Sequence, residues 1–223
     1  MNQAFGEMLP FALVIALSPI PIAAVIAMLF SQRAIGNGLA FLLGWAVGVT
    51  GGLALLTWLA STQDLGSGGE PSSVATALRF ALGLSLLAGA VLKWRGRPAP
   101  GDDAPMPRWM ARADTIRPGG SLVLAALLGG VNPKNLLMNV AAAAVLASAS
   151  LSGQDEVAVI AMYTAVASST VALAVLYRLL AGRRAAATLE RMRGWLVANN
   201  ATVMSVLLLV FGVKLVGDAI AGL

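Results

Sequence analysis

The sequence predicts an all-α integral membrane protein: six transmembrane helices arranged as a 3+3 inverted repeat, with helices one and four broken by proline. Three observations carry this expectation. The 223 residues are 58% hydrophobic and 11% charged, where a soluble domain is about half apolar and about a quarter charged. Six apolar stretches each reach the roughly 17 to 25 residues that cross a hydrocarbon core. They span residues 8–30, 37–60, 74–94, 120–149, 156–180 and 200–221. A proline-bearing polar interruption falls in the first stretch and another in the fourth.

The first stretch holds Ser18-Pro19-Ile20-Pro21 at its middle. Nothing basic precedes it and Glu7 stands where a signal peptide would carry Lys or Arg, so it is expected to be retained as a span. The second stretch carries Gly44 and Gly48, spaced as small-xxx-small, and the third carries Gly83 and Gly89. Such glycines let helices approach closely within a subunit or across a homodimer. The fourth stretch is interrupted by Asn132-Pro133-Lys134-Asn135. The fifth brings Ser168, Ser169 and Thr170, with Tyr163 nearer its outer end. The sixth carries Lys214 four residues before Asp218, a spacing that lets the two pair on one helix face. Arg79 in the third stretch and Glu7 before the first read as interfacial residues that snorkel.

Basic residues order the connections. Arg33 lies in the first. Lys93, Arg95, Arg97, Arg108, Arg112 and Arg117 lie in or beside the third, and Arg178, Arg183, Arg184, Arg191 and Arg193 in or beside the fifth. The second and fourth carry only acids: Asp64, Glu70, Asp155 and Glu156. Loops rich in Lys and Arg remain cytoplasmic, so both termini are expected on the extracytoplasmic side. The division is one membrane domain over 1–223, with a first three-helix repeat at 6–94, a cytoplasmic connection at 95–119 and a second repeat at 120–221. Three spans per half make the halves run in opposite directions. Two stretches in the connections, around Met106, Trp109 and Met110 and around Leu189, Met192, Trp195 and Leu196, mix apolar residues with arginines. They read as short amphipathic segments on the inner leaflet.

The interruptions are the candidate site. Proline lacks an N–H and crowds the carbonyl four residues back, which frees backbone groups that hydrocarbon cannot satisfy. At 1.5 Å per residue, Pro19 lies roughly 16 Å from the outer end of its span and Pro133 roughly 20 Å from the inner end of its own. Both breaks therefore fall near the midplane, where paired broken helices mark a transporter's central site. Packing kinks alone are the plainer alternative. A lysine at this depth costs about 3 kcal/mol on insertion scales, so Lys134 is the leading binding residue. Asn132, Asn135 and Asn139 follow an i, i+3, i+7 spacing that lines up three amides. The candidate substrate-binding set is Ser18, Pro19, Pro21, Asn132, Pro133, Lys134, Asn135, Asn139, Ser168 and Ser169. The serines could equally hydrogen-bond neighbouring helices, and Lys134 could cap the carbonyls of the half-helix before it.

Absences narrow the chemistry. The sequence has no cysteine and no histidine, which removes disulfides, thiolate or imidazole metal ligation and Ser-His or Cys catalysis. No cofactor, metal or nucleic acid is expected. No Walker-type loop is present for nucleotide. No carboxylate falls at the midplane, which disfavours cation or metal export and favours an anionic or amphiphilic substrate. An intramembrane enzyme is left only Ser-Lys chemistry, which needs Ser18 and Lys134 to meet.

The stretch Ser18-Pro19-Ile20-Pro21, followed by Ser31-Gln32-Arg33-Ala34 and Gly36-Asn37-Gly38-Leu39-Ala40-Phe41-Leu42-Leu43-Gly44-Trp45, resembles the first two spans of the lysine exporter (LysE) superfamily. More closely, it resembles the actinobacterial GAP/Sap-like branch, named for addressing glycopeptidolipids and sulfolipids to the cell surface. Asn132-Pro133-Lys134 is similar to the superfamily's signature at the same place. The likeness covers about residues 5–221. It implies a multi-pass plasma-membrane protein that takes part in moving a glycolipid or its precursor toward the envelope. Serine and isoleucine stand in the first motif where amino-acid exporters show glycines or Pro-Gly-Pro, which weakens amino-acid export. Three readings follow: a lipid carrier, an accessory scaffold beside a large lipid exporter, and a small-solute exporter. Membrane lipids are the expected partners in each.

Overall fold

The structure is a computed structural model that describes residues 1–62, 73–98, 115–149 and 151–221. Among the described residues nine α-helices run in the order α1 (Asn2–Ala16), α2 (Pro19–Phe30), α3 (Ala34–Thr62), α4 (Ser73–Arg95), α5 (Pro118–Gly130), α6 (Pro133–Ser148), α7 (Gly153–Ala181), α8 (Ala185–Ala198) and α9 (Asn200–Ala221). A 3-10 turn, Gly182–Arg184, joins α7 to α8. The stretch around Met106, Trp109 and Met110 lies outside the described residues, as does the side chain of Arg79.

Prolines end and restart the helices where the sequence places them. Pro19 is the first residue of α2 and Pro133 the first of α6, the position where the missing N–H costs nothing. The joined pairs bend by 54° between α1 and α2 and by 57° between α5 and α6. Pro10, in contrast, is carried inside α1. That helix starts at Asn2, ahead of the expected span, with Gln3 Nε2 donating to Glu7 Oε1 at 3.2 Å. At the other end of the chain order, Ser152 caps α7 by accepting from the Asp155 N–H at 3.3 Å. Asp155 and Glu156 occupy the first turn, where negative charge is favoured. α7 stops at Gly182, whose φ of +54° suits glycine.

Of the described helices, α3, α7 and α9 are long and apolar enough to cross a bilayer, and each bent pair qualifies as one broken span, giving up to five. The remaining expected span is α4, a helix of 23 residues that lies along α9. α3 packs on α5 and α6, and α7 packs on α1 and α2; α3 and α7 cross each other. α4 touches α6, and α9 touches α2. α2 is apolar all round and buried from Ile22 to Leu29, as a helix without a lipid-facing side should be.

Glycines set the closest approaches. A Cβ on Gly44 would lie 2.1 Å from the Leu122 carbonyl oxygen, and one on Gly48 would lie 2.4 Å from that of Ala126. The small-xxx-small pair is therefore occupied within the chain, against α5, and offers no surface to a second copy. Gly83 and Gly212 do the same between α4 and α9: their Cβ atoms would meet the Val216 nitrogen at 2.9 Å and the Leu87 nitrogen at 3.0 Å. Asn37, fully buried, ties the α2–α3 turn to the entry of α5. Its Nδ2 donates to Ser31 Oγ at 2.7 Å and to the Ile116 carbonyl at 2.8 Å, and its backbone carbonyl accepts from Ser121 Oγ at 2.8 Å.

Candidate functional site

Each helix break leaves carbonyls at the end of one half-helix and N–H groups at the start of the next. At the first break Val14 O is an acceptor that the Ser18 N–H, bonded to Ile15 O, leaves free. Lys134 Nζ, from the start of α6, donates to it at 2.9 Å and also to Ser18 Oγ. Ser18 Oγ donates in turn to Val14 O at 3.3 Å. Thr170 Oγ1 of α7 donates to Ala16 O at 2.5 Å. The end of α1 is thus held by two side chains from the second half of the molecule. At the second break the acceptors are Leu128 O and Gly129 O, and Asn135 Nδ2 donates to them at 3.0 and 3.2 Å. Asn132 caps α6, its Oδ1 accepting from the Lys134 N–H at 3.1 Å.

Lys134 does cap carbonyls, but those of the other broken helix: its partner Val14 lies in α1, while the preceding half-helix α5 is served by Asn135. This brings Ser18 of one break against Lys134 of the other. The contact has the chemistry of a cap. The Ser18 hydroxyl proton is committed to Val14 O, and Pro19 and Pro21 remove two of the N–H groups that the start of α2 could turn toward an oxyanion.

The remaining predicted residues divide by depth. Ser18, Asn135, Asn139 and Ser168 are buried, and so are Pro19 and Pro21. Asn139 sits in a network: Tyr163 Oη donates to its Oδ1 at 3.0 Å, and its Nδ2 reaches the Val49 carbonyl at 3.5 Å. Asn135 Oδ1 and Ser168 Oγ have no hydrogen-bond partner among the described residues. Ser169 is half-buried and joins no hydrogen bond there. Pro133 is exposed. Lys214 lies apart from the breaks and pairs with Asp218 at 2.5 Å, as its spacing predicts.

An ammonium has three N–H donors. Lys134 uses two, and no carboxylate faces it: the ion pairs among the described residues are Arg193–Glu190 and Lys214–Asp218. The third donor has no hydrogen-bond partner among the described residues. Beside the contact the surface is apolar and open. Leu17, next to Ser18, is 46% exposed, and Val131, next to Asn132, is 59% exposed.

Sequence reasoning missed the groups that fasten the two halves together. Where α3 crosses α7, Thr50 Oγ1 and Thr164 Oγ1 lie 2.8 Å apart, and Trp45 Nε1 donates to the Ala167 carbonyl at 3.2 Å. A signal existed: Thr50 follows Pro19 by 31 positions, and Thr164 follows Pro133 by the same 31.

The family model described as Sap, sulfolipid-1-addressing protein, matches residues 8–221. No curated protein and no solved structure matches the chain.

Proposed function

Because the chain belongs to the sulfolipid-1-addressing (Sap) family, involvement in lipid transport or addressing is its premise, and we propose that it is itself the carrier. In this reading it exports an anionic or amphiphilic envelope lipid, a glycolipid or its precursor, through a central site between the two broken helices. One observation carries the reading: Lys134 Nζ joins the two breaks, through Val14 O and Ser18 Oγ, with no carboxylate beside it. An anionic headgroup supplies the missing charge. Its tails remain in the bilayer along Leu13, Leu17, Leu127 and Val131, all more than 40% exposed. Ser18, Asn132 and Asn135 shape the headgroup seat, and Ser168 Oγ, still without a partner among the described residues, faces the same requirement for a donor or acceptor.

The six-span inverted repeat is part of this proposal, and the spacing of contacts supports it. Pro133 stands 114 positions after Pro19, Thr164 stands 114 after Thr50, and Leu128, whose carbonyl Asn135 caps, stands 114 after Val14, whose carbonyl Lys134 caps. In the last pair of helices Gly212 stands 129 after Gly83, and their contacts, Val216 and Leu87, are also 129 apart. The register grows by fifteen between the two sets, and α8, of 14 residues, lies in that interval. Thus α1, α2, α3 and α4 correspond to α5, α6, α7 and α9, and the pairings repeat: α3 on α5 with α7 on α1, α3 on α6 with α7 on α2. Such halves suit alternating access. The same architecture, together with Asn132-Pro133-Lys134, supports membership of the wider lysine exporter superfamily, and the basic connections support a plasma-membrane orientation with both termini outside.

The accessory reading, a scaffold beside a larger exporter, is favoured by a different fact: the carbonyls of both breaks are already capped by the chain's own side chains. Reconstitution of the purified protein alone separates the two. For the carrier, a labelled anionic glycolipid crosses between leaflets, and Lys134→Ala slows it by about 10- to 100-fold. That is the loss of one charge-assisted hydrogen bond of about 1.5 to 3 kcal/mol. Lys134→Arg retains movement. No crossing by the unmodified protein without a partner overturns the carrier reading in favour of the scaffold.

A further inference from the structure

The helix α8 is the element the repeat does not require, and its two faces differ. Ala185, Leu189 and Leu196 are buried, and the helix packs chiefly on α2. An amphipathic segment lying on the inner leaflet would turn those leucines into lipid; here the apolar face is spent on protein. A second face, roughly 110° around the axis from the buried one, carries Arg184, Thr188, Arg191 and Trp195, all exposed. Their i, i+4, i+7, i+11 spacing sets them within about 60° of one another around the helix axis. The one carboxylate on the helix, Glu190, is off this stripe and is neutralised by Arg193 at 2.9 Å. α2 carries no acid, and the last turn of α7 carries only Arg178. Trp195 is 58% exposed, although a tryptophan on a water-facing surface has no reason to be bare. At the level of lipid headgroups its amphipathic ring is favoured.

We propose that the Arg184–Arg191–Trp195 face of α8 is a binding site for an anionic phospholipid headgroup of the leaflet it meets, separate from the seat at Lys134. The guanidinium groups supply bidentate donors for a phosphate, and basic side chains are attracted to an anionic membrane surface. Trp195 marks the depth. Arg191 Nε donates to the Ala187 carbonyl at 3.3 Å, which holds the side chain along the helix and leaves its terminal nitrogens for the ligand. The helix then carries the site while its buried face holds α2, whose N-cap is Ser18. The proposal does not depend on cargo passing through the central site, so either can fail alone.

The test uses the whole protein in nanodiscs containing a bromine-labelled lipid, either phosphatidylglycerol or phosphatidylcholine, at equal mole fraction. Trp195 emission is obtained as the difference between the protein and its Trp195→Phe variant. The expected result is at least a several-fold stronger quenching of Trp195 by the labelled phosphatidylglycerol, and loss of that preference in the Arg184→Gln/Arg191→Gln double variant at an unchanged thermal midpoint. Equal quenching by the two lipids overturns the proposal. So does a preference that survives in the double variant. An Arg184→Lys/Arg191→Lys variant guards against misfolding: it should keep most of the preference, since charge remains while the bidentate geometry is lost.

Discussion

A lysine in an apolar helix needs acceptors for its donors, and the acceptors of Lys134, Val14 O and Ser18 Oγ, belong to a different helix break. The sequence made the lysine and the amides conspicuous. It could not reveal their partners, because those depend on which helix arrives opposite: Val14 O for Lys134, Tyr163 Oη for Asn139. Asn135 is the more local case, reaching back to the carbonyls of its own broken span. Replacing it with leucine leaves Leu128 O and Gly129 O bare, so the thermal midpoint in detergent should fall by an amount corresponding to about 1 to 3 kcal/mol. Ser169→Ala, which removes no hydrogen bond, should change stability by less than about 0.5 kcal/mol. Equal melts for the two variants would remove the capping role.

Among the elements, the breaks were readable because a missing N–H is a property of proline wherever it stands. The bend angles of 54° and 57° follow from it. The ends of α1 and the seating of α8 were not readable, since burial of Leu189 and Leu196 is decided by α2 and not by their own periodicity. The glycines show the same division: spacing predicts close approach, and only the fold says to what. With Leu122 O 2.1 Å from where its Cβ would stand, Gly44→Ala must push α3 and α5 apart and should cost about 1 to 3 kcal/mol of stability. Gly51→Ala, which meets nothing within 4 Å, should be neutral or slightly stabilising, because alanine is the better helix former. Parallel melting curves of the two variants check this, and a Gly44→Ala protein as stable as the parent would contradict the close packing of α3 on α5.

For the whole molecule, the hydrogen bond between Thr50 and Thr164 is one of several that join the two halves. The chain has no cysteine, so the pair Thr50→Cys/Thr164→Cys should form an intramolecular disulfide on mild oxidation, visible as a mobility shift reversed by reductant. Absence of that link, with the protein still folded, would deny that α3 crosses α7 at this register. The inverted arrangement is expected from span number and proline placement, and it remains part of the proposal. The 114-residue spacing that relates its contacts became visible only once the partners of Thr50, Val14 and Leu128 were known.

The most direct measurement is equilibrium binding of an anionic single-tailed amphiphile, dodecyl phosphate, to the purified detergent-solubilised protein and to Lys134→Gln, with dodecyl phosphocholine as the zwitterionic counterpart. If the lysine joining the two helix breaks is a seat for anionic headgroups, the phosphate binds more tightly than the phosphocholine. Its affinity should also fall by about tenfold or more in Lys134→Gln, one lost charge-assisted contact being worth about 1.5 to 3 kcal/mol. Equal affinity for the two amphiphiles, or an unchanged affinity in Lys134→Gln, would contradict it and leave Lys134 as a cap on Val14 and nothing more.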